Sequence, residues 1–229
     1  MSISETFRYE SSIDVDTSNY RKHTSDNPIQ RRLIYRFHRK IAAIVSELGP
    51  DTLLDAGCGE GFVTDIFLKA MPEVSISGFD VLPDSVKLAQ LRNPRASISV
   101  GDIYTIDHPD ASFDVVYSFE VLEHLDEPRR ALREMARVAR RAVVLSVPHE
   151  PFFCLANAAR GKNLDIRPRG SDPDHRNFWS RGTFGTFVDQ ELDVETLTGS
   201  FPWTICVGRP RRQPVNGTSG SRTEAGTMS

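Results

Sequence analysis

A chain of 229 residues with 39% hydrophobic side chains can bury one sizeable core, which excludes a wholly disordered or fibrous protein. No run approaches eighteen apolar residues, which excludes a membrane-spanning helix. Lys and Arg number 28 against 31 Asp and Glu, so the net charge of −3 gives no global pull toward polyanions and excludes a nucleic-acid coat protein.

Met1 to Glu10 lacks the apolar stretch behind a basic start that marks a secretory leader. Cys58, Cys154 and Cys206 are odd in number and far apart, unsuited to a disulfide framework or a thiolate zinc site. The expected compartment is the reducing cytoplasm. Residues 1–27 are polar with scattered aromatics (Phe7, Tyr9, Tyr20) and read as an N-terminal arm ordered by docking. Ile29, Leu33, Phe37, Ile41, Ile44 and Leu48 then recur at three- and four-residue steps, predicting a helix stopped by Gly49-Pro50. Its polar side carries Arg31, Arg32, Arg36, Arg39 and Lys40, either a solvated face or a basic lip for an anionic substrate.

Short apolar runs follow at 52–57, 75–80, 97–102, 113–119 and 141–148, of the length and β-branched content of buried parallel strands. Helical patterns lie at 61–71, 83–92 and 126–140, the last with Pro128 in its first turn and Leu132, Met135, Ala136 and Ala139 inward. Two further strands at 192–198 and 203–207, joined by a short connection, suit an antiparallel hairpin. The predicted fold class is α/β, a doubly wound, seven-stranded, mostly parallel Rossmann-like sheet closed by that hairpin. Residues 28–208 form its one domain, and residues 209–229, poor in large aliphatics, form a disordered tail.

Ligands of such a sheet bind outside the carboxyl ends of its strands. After the first strand comes Asp55-Ala56-Gly57-Cys58-Gly59-Glu60-Gly61. The third glycine falls one residue early for a dinucleotide fingerprint, and no Gly-Lys-Ser/Thr follows for a triphosphate. Strand two ends in Asp80, placed to accept bonds from both hydroxyls of a ribose, and strand three in Gly101-Asp102. Three strand-end acids beside a glycine loop fit an adenosine-containing ligand without a pyrophosphate.

The segments DAGCGEG at 55–61, FD at 79–80, GD at 101–102 and SFEVLEHL at 118–125 resemble the class I S-adenosylmethionine-dependent methyltransferases, of the type 11/12-like group. The resemblance covers about residues 50–208 and implies S-adenosyl-L-methionine as cofactor. By that resemblance Asp55, Gly57 and Gly59 line its methionine part; Cys58 between the glycines, with no basic neighbour to activate it, reads as a small space-filling residue rather than a nucleophile. Asp80 holds the ribose, Val81 flanks the adenine, Asp102 meets the adenine amino group with Ile103 beside it, and Ser118 closes the pocket floor. The segment before the first helix, residues 1–27, becomes a lid over the acceptor site.

Glu120, Glu123 and His124 share one face if a helical turn starts at Glu120. The E-x-x-E-H element resembles that of ubiquinone-pathway O-methyltransferases and of small-RNA 3′-terminal 2′-O-methyltransferases. In the RNA enzymes a further histidine completes a divalent-metal site, and His175 matches it, although the spacing around Phe178-Trp179 departs from their pattern. Glu120, Glu123, His124 and His175 are thus candidate ligands for Mn, Fe, Zn or Mg, or else residues that cap and orient the local backbone. His149, after strand five, is a candidate general base alongside His124 and His175. Phe152, Phe153, Phe178 and Trp179 roof an acceptor pocket or join the core. Residues 151–170, apolar and then basic (Arg160, Lys162, Arg167, Arg169), read as an inserted lid. The expected reaction is O-methylation of a small hydroxylated metabolite, phenolic, glycosidic or lipid-linked. The alternatives are metal-dependent 2′-O-methylation of an RNA 3′ end and a non-catalytic cofactor-binding homologue. A small-molecule acceptor is the expected partner, net acidity weighs against RNA, and a homodimer is left open.

Overall fold

The computed structural model describes residues 18–150, 154–155 and 174–211. Helices α1 (Ser18–Thr24) and α2 (Pro28–Glu47) precede the first strand, β1 (Thr52–Ala56). There follow α3 (Phe62–Ala70), β2 (Ser75–Asp80), α4 (Pro83–Arg92), β3 (Ser97–Val100) and β4 (Phe113–Phe119). A 3-10 turn (Leu122–His124), α5 (Pro128–Val138), β5 (Ala139–Pro148), α6 (Arg181–Val188), β6 (Leu192–Ser200) and β7 (Trp203–Pro210) complete it. Asn27 caps α2 by accepting from the Ile29 and Gln30 amides, with Pro28 following where a missing N–H costs nothing.

The strands form one sheet in the order β3-β2-β1-β4-β5-β7-β6, parallel through β5 and antiparallel in the β5-β7-β6 part. The expected fold class is the observed one. Side chains alternate across the pleat, so adjacent residues serve opposite cores. Leu54, Val116, Val143 and Leu145 meet Leu132 and Met135 of α5 and Phe184 and Val188 of α6. Leu53, Val115, Val144 and Ile205 meet Ile34, Phe37, Ile41 and Val45 of α2 and Phe67 of α3. Strand β1 pairs with β2 on one side and β4 on the other, so the strand order reverses there and opens a crevice at the carboxyl ends.

Several boundaries differ from the sequence expectation. The fifth helix ends at Val138, and Ala139, expected inward on it, has extended backbone and opens β5 opposite Phe113. Strand β3 ends at Val100, because Asp102 turns back into a bridge with Thr105. Strand β7 runs to Pro210, two residues past the expected domain end, paired with Leu192. Ile29 is 71% exposed, so the apolar stripe of α2 begins one turn later. Within the expected arm, residues 18–24 are helical. The insert expected at 151–170, with its four basic residues and Phe152 and Phe153, lies outside the described residues apart from 154–155, as does the tail beyond 211. No described helix is long and apolar enough to cross a membrane.

At the opposite, amino-terminal edge, Asp114 of β4 holds β1 in register. Its buried Oδ2 accepts from the Asp51 and Thr52 amides at 3.0 and 3.2 Å, and Oδ1 accepts from Arg140 at 2.6 Å. Asp114→Ala strands those donors, and urea denaturation should record a loss of about 2–4 kcal/mol, from several bonds to one charged acceptor. A loss below about 0.5 kcal/mol, the scale of an ordinary surface change, would show that the clasp does not hold the strands.

Candidate active site

The loop after β1 is built for close backbone approach. Gly57, Gly59 and Gly61 all have positive φ (87°, 51° and 75°), the region that favours glycine. A Cβ at Gly57 would stand 2.8 Å from Val121 Cγ2, so that position is closed to any larger residue. The amides of Gly57 and Cys58 both donate to the Phe79 carbonyl at 2.9 Å, tying the loop to the end of β2. Burial pushes the Cys58 thiol far up, which agrees with a space-filling role and not a nucleophile.

Asp55, at the end of β1, is 4% exposed. Its Oδ2 accepts from Thr64 Oγ1 at 2.6 Å and from the Tyr117 hydroxyl at 2.9 Å, while Oδ1 accepts from no described residue. Burial outweighs those bonds and pushes its carboxyl up to about 7. Asp80, at the tip of β2, accepts the Gly59 amide on Oδ2 at 2.8 Å and the Leu82 amide on Oδ1 at 3.0 Å. A carboxylate has about four acceptor positions, so each oxygen keeps one for a ligand. Beside it Val81 is 68% exposed, an apolar side chain open to a flat partner. After the neighbouring β3, Asp102 is exposed and accepts the Tyr104 amide at 2.8 Å, and Ile103 is buried. Ser118 is buried and donates to the Ala56 carbonyl at 2.7 Å, locking β4 to β1 beneath the loop.

Helix α1 lies over the glycine loop. Asn19 Nδ2 donates to Glu60 Oε2 at 2.5 Å and would sit 3.1 Å from a Cβ on Gly59. His23 stacks on Phe62 at 4.2 Å between centroids and meets His38 of α2, Nε2 to Nε2, at 3.3 Å. Both imidazoles are buried, and burial holds the pKa of each well below the ordinary range, so the pair is neutral and one ring donates to the other. Lys22 reaches across to Glu120 Oε2 at 3.9 Å and lies 5.7 Å from the centre of the Trp203 ring.

Glu120, Glu123 and His124 do not share one helical face. Glu120 has φ +60°, left-handed backbone outside the single 3-10 turn at Leu122–His124. Its carboxylate is taken by the Trp203 indole N–H at 2.5 Å and Ser146 Oγ at 3.2 Å. Glu123, His124 and His175 do converge, offering ligand atoms that all lie within 4.8 Å of one another. Both Glu123 oxygens are buried without a hydrogen-bond partner among the described residues, and burial, then the charges of Glu120 and Glu150, push its carboxyl well up. The Glu123 carbonyl accepts the Arg176 and Asn177 amides, which carries His175 to the cluster. His124 Nδ1 lies 3.1 Å from the Asp174 carbonyl, and His175 Nδ1 2.7 Å from Glu150 Oε1. His149 follows β5, its amide donating to the Pro202 carbonyl, and stands outside the Glu123–His124–His175 group. Of the two described roof candidates, Trp179 joins the core and Phe178 is 38% exposed, which leaves Phe178 open to a ligand.

Several residues of this site escape the sequence reading. Asn19, Lys22 and Trp203 come from the two ends of the domain, and no local spacing announces their meeting. Glu150 beside His149 gives a weak signal, a second acid after a strand. Tyr117 offers a stronger one: a hydroxyl in the middle of a buried strand needs a buried acceptor, and Asp55 is that acceptor.

Known proteins resemble this chain in sequence and in fold. Residues 54–147 match the family described as a methyltransferase domain. A probable S-adenosylmethionine-dependent methyltransferase of Mycobacterium tuberculosis is 37% identical over 118 residues, 51% of this chain and 40% of that protein. Ajmaline N-methyltransferase of Rauvolfia serpentina is 34% identical over 99 residues, 41% of this chain and 34% of its own. The matches thus span 40% or less of these relatives' length. Among solved structures, the PH0226 protein of Pyrococcus horikoshii superposes with a TM-score of 0.66 at 15% identity, covering 81% of this chain and 93% of that one. The methyltransferase domain of bacterial CtHen1 gives 0.62 at 20% identity, covering 78% and 98%. Likeness at this identity concerns the fold.

The buried Asp55 carboxyl makes a pH test. Its folded-state pKa, about 7, stands above the ordinary 3.8, so its stability contribution is full below about 4 and is lost as pH rises toward 7. In the ligand-free protein, wild type should lose stability relative to Asp55→Asn across that window, with no further change above it. Urea titrations at pH 4 to 8 showing a constant difference would contradict the assigned burial.

Proposed function

We propose, for a chain that belongs to the class I S-adenosylmethionine-dependent methyltransferase superfamily, that its reaction is O-methylation of a small hydroxylated acceptor. The observation that carries the cofactor half is Asp80, pinned by two backbone amides with one acceptor position per oxygen to spare. Two neighbouring ribose hydroxyls match those positions. Gly57 and Gly59 let the loop backbone approach the amino-acid part, and Asp55 Oδ1 is placed for an ammonium group, whose approach favours the ionised carboxylate. Val81 and Ile103 supply apolar contact for a base, and Asp102 an acceptor for its amino group.

The cofactor supplies an electrophilic methyl group already primed by its sulfonium. What remains for the protein is to hold the acceptor oxygen in line and to take its proton. His149 after β5, His124 in the 3-10 turn after β4 and His175 in the segment before α6 are the candidate bases. Helix α1 supports the reading as a cover that excludes water, its Asn19 standing on the loop and Lys22 on Glu120.

A second reading adds a divalent cation, favoured by one observation: Glu123 has a buried carboxylate with no hydrogen-bond partner among the described residues, beside two imidazoles. One carboxylate and two imidazoles suit Mn, Fe or Zn better than Mg. Such an ion would supply Lewis-acid polarisation of the acceptor hydroxyl. Glu150 would orient His175 through Nδ1, and Glu120, held by Trp203 and Ser146, would stay outside the ligand set.

Asp80→Ala should weaken binding of S-adenosylhomocysteine by about 10–100-fold in calorimetry, the range for bonds to a charged group. Unchanged affinity would remove the ribose assignment. With labelled cofactor and cell extract, label should enter the organic-solvent extract; label in RNA, or in no pool, would overturn the small-acceptor reading. Chelation with EDTA should abolish turnover and spare cofactor binding, with Mn²⁺ restoring it, if the cation reading holds. Full activity after chelation assigns Glu123, His124 and His175 to structure and leaves His149 as base.

A further inference from the structure

The charge on α2 is distributed unlike that on the rest of the chain. From β3 onward the described arginines are engaged, Arg129 and Arg133 by Glu191, Arg137 by Glu134 and Asp110, Arg140 by Asp114. Lys40 of α2 is engaged too, donating to Thr198 Oγ1 and the Gly199 carbonyl, and so leaves the basic face that the sequence suggests. Arg31, Arg32, Arg36 and Arg39 are different. All four are exposed, and none makes an ion pair or hydrogen bond with a described residue; Arg39 lies over the Tyr35 ring at 5.7 Å. At 1.5 Å per residue they extend about 12 Å along one outward side of the helix.

Apolar groups stand among these charges. An open groove of about 250 Å³ is lined by Pro28, Ile29, Arg32, Leu33 and Arg36, and Ile29 is 71% exposed. Ile29 and the half-buried Leu33 thus put apolar surface directly beside Arg32 and Arg36.

We propose that this face of α2 docks on an anionic lipid surface, with Arg31, Arg32, Arg36 and Arg39 at the headgroups and Ile29 entering the acyl boundary. A nucleic acid would use the same charges, but it would want aromatic faces for stacking, and the one ring here, Tyr35, already carries Arg39. An interfacial apolar residue within a basic helical face is the pattern of a surface-bound helix. The net charge of −3 makes the attachment one-sided, because the remaining surface is repelled by the same lipids. Only residues 25–27 separate α2 from the helix covering the glycine loop, so attachment brings that cover to the lipid edge.

Flotation of the full chain with phosphatidylcholine vesicles containing 30% phosphatidylglycerol tests this, with pure phosphatidylcholine as reference. The chain should float with the anionic vesicles at low salt, stay behind with the neutral ones, and be released at 0.5 M NaCl. Arg32→Gln/Arg36→Gln should weaken binding by about 25-fold, since each basic residue near such a surface is worth about fivefold. Ile29→Asp should weaken it with all four arginines intact, which distinguishes insertion from charge alone. The melting temperature of each variant should match wild type, the altered side chains being exposed. No anionic binding at low salt, or equal binding by the Arg32/Arg36 variant, overturns the proposal. So does tight binding of a single-stranded RNA, lost in that variant, without vesicle binding.

Discussion

Everything at the carboxyl edge depends on how the loop after β1 is tied to the tip of β2. The Phe79 carbonyl takes two loop amides, Gly57 and Cys58, and the Asp80 carboxylate takes a third, from Gly59. The positive φ of Gly57 and Gly59 permits all three bonds at once. The clasp fixes Asp80 in orientation and exposes backbone where a ligand can meet it. Val121, packed 2.8 Å from where a Gly57 Cβ would stand, extends the constraint to the segment after β4. The loop after β1 and the segment after β4 therefore share one backbone frame.

Around that frame the site concentrates acid groups in a dry setting. Asp55, Glu120 and Glu123 all have carboxyls pushed up by burial. Lys22 of α1 is the cation that reaches Glu120, 3.9 Å from its Oε2. Helix α1 is thus both a cover and part of the electrostatic balance. Its neutral His23–His38 pair lets it dock without importing further positive charge beside Lys22 and Arg92. The left-handed backbone at Glu120 costs of order 1–3 kcal/mol, and the bonds from Trp203 and Ser146 are what hold it there.

Much of the fold was legible in the sequence because its signals are local. Apolar runs such as FDVVYSF mark strands, and Gly49-Pro50 marks a helix stop. The placement of Asp55 and Asp80 was legible for a similar reason, since each stands at the end of a parallel strand and those ends share one edge. What escaped reading is long-range or exceptional in backbone. Glu120 leaves the expected helical face because its φ is positive, which spacing alone does not reveal for a glutamate. Asn19 and Trp203 reach the site from sequence positions far from it. Ala139 looks helical by pattern, yet pairing with Phe113 draws it into β5.

The central claim is that S-adenosylmethionine binds over the β1–β2 clasp with its ribose on Asp80. A crystal structure of the full chain with S-adenosylhomocysteine tests it most directly. The account predicts both ribose hydroxyls on the Asp80 carboxylate, with its Gly59 and Leu82 bonds intact, and the homocysteine part along Gly57 and Gly59. A ligand seated elsewhere, or a ribose that leaves Asp80 untouched, would contradict it.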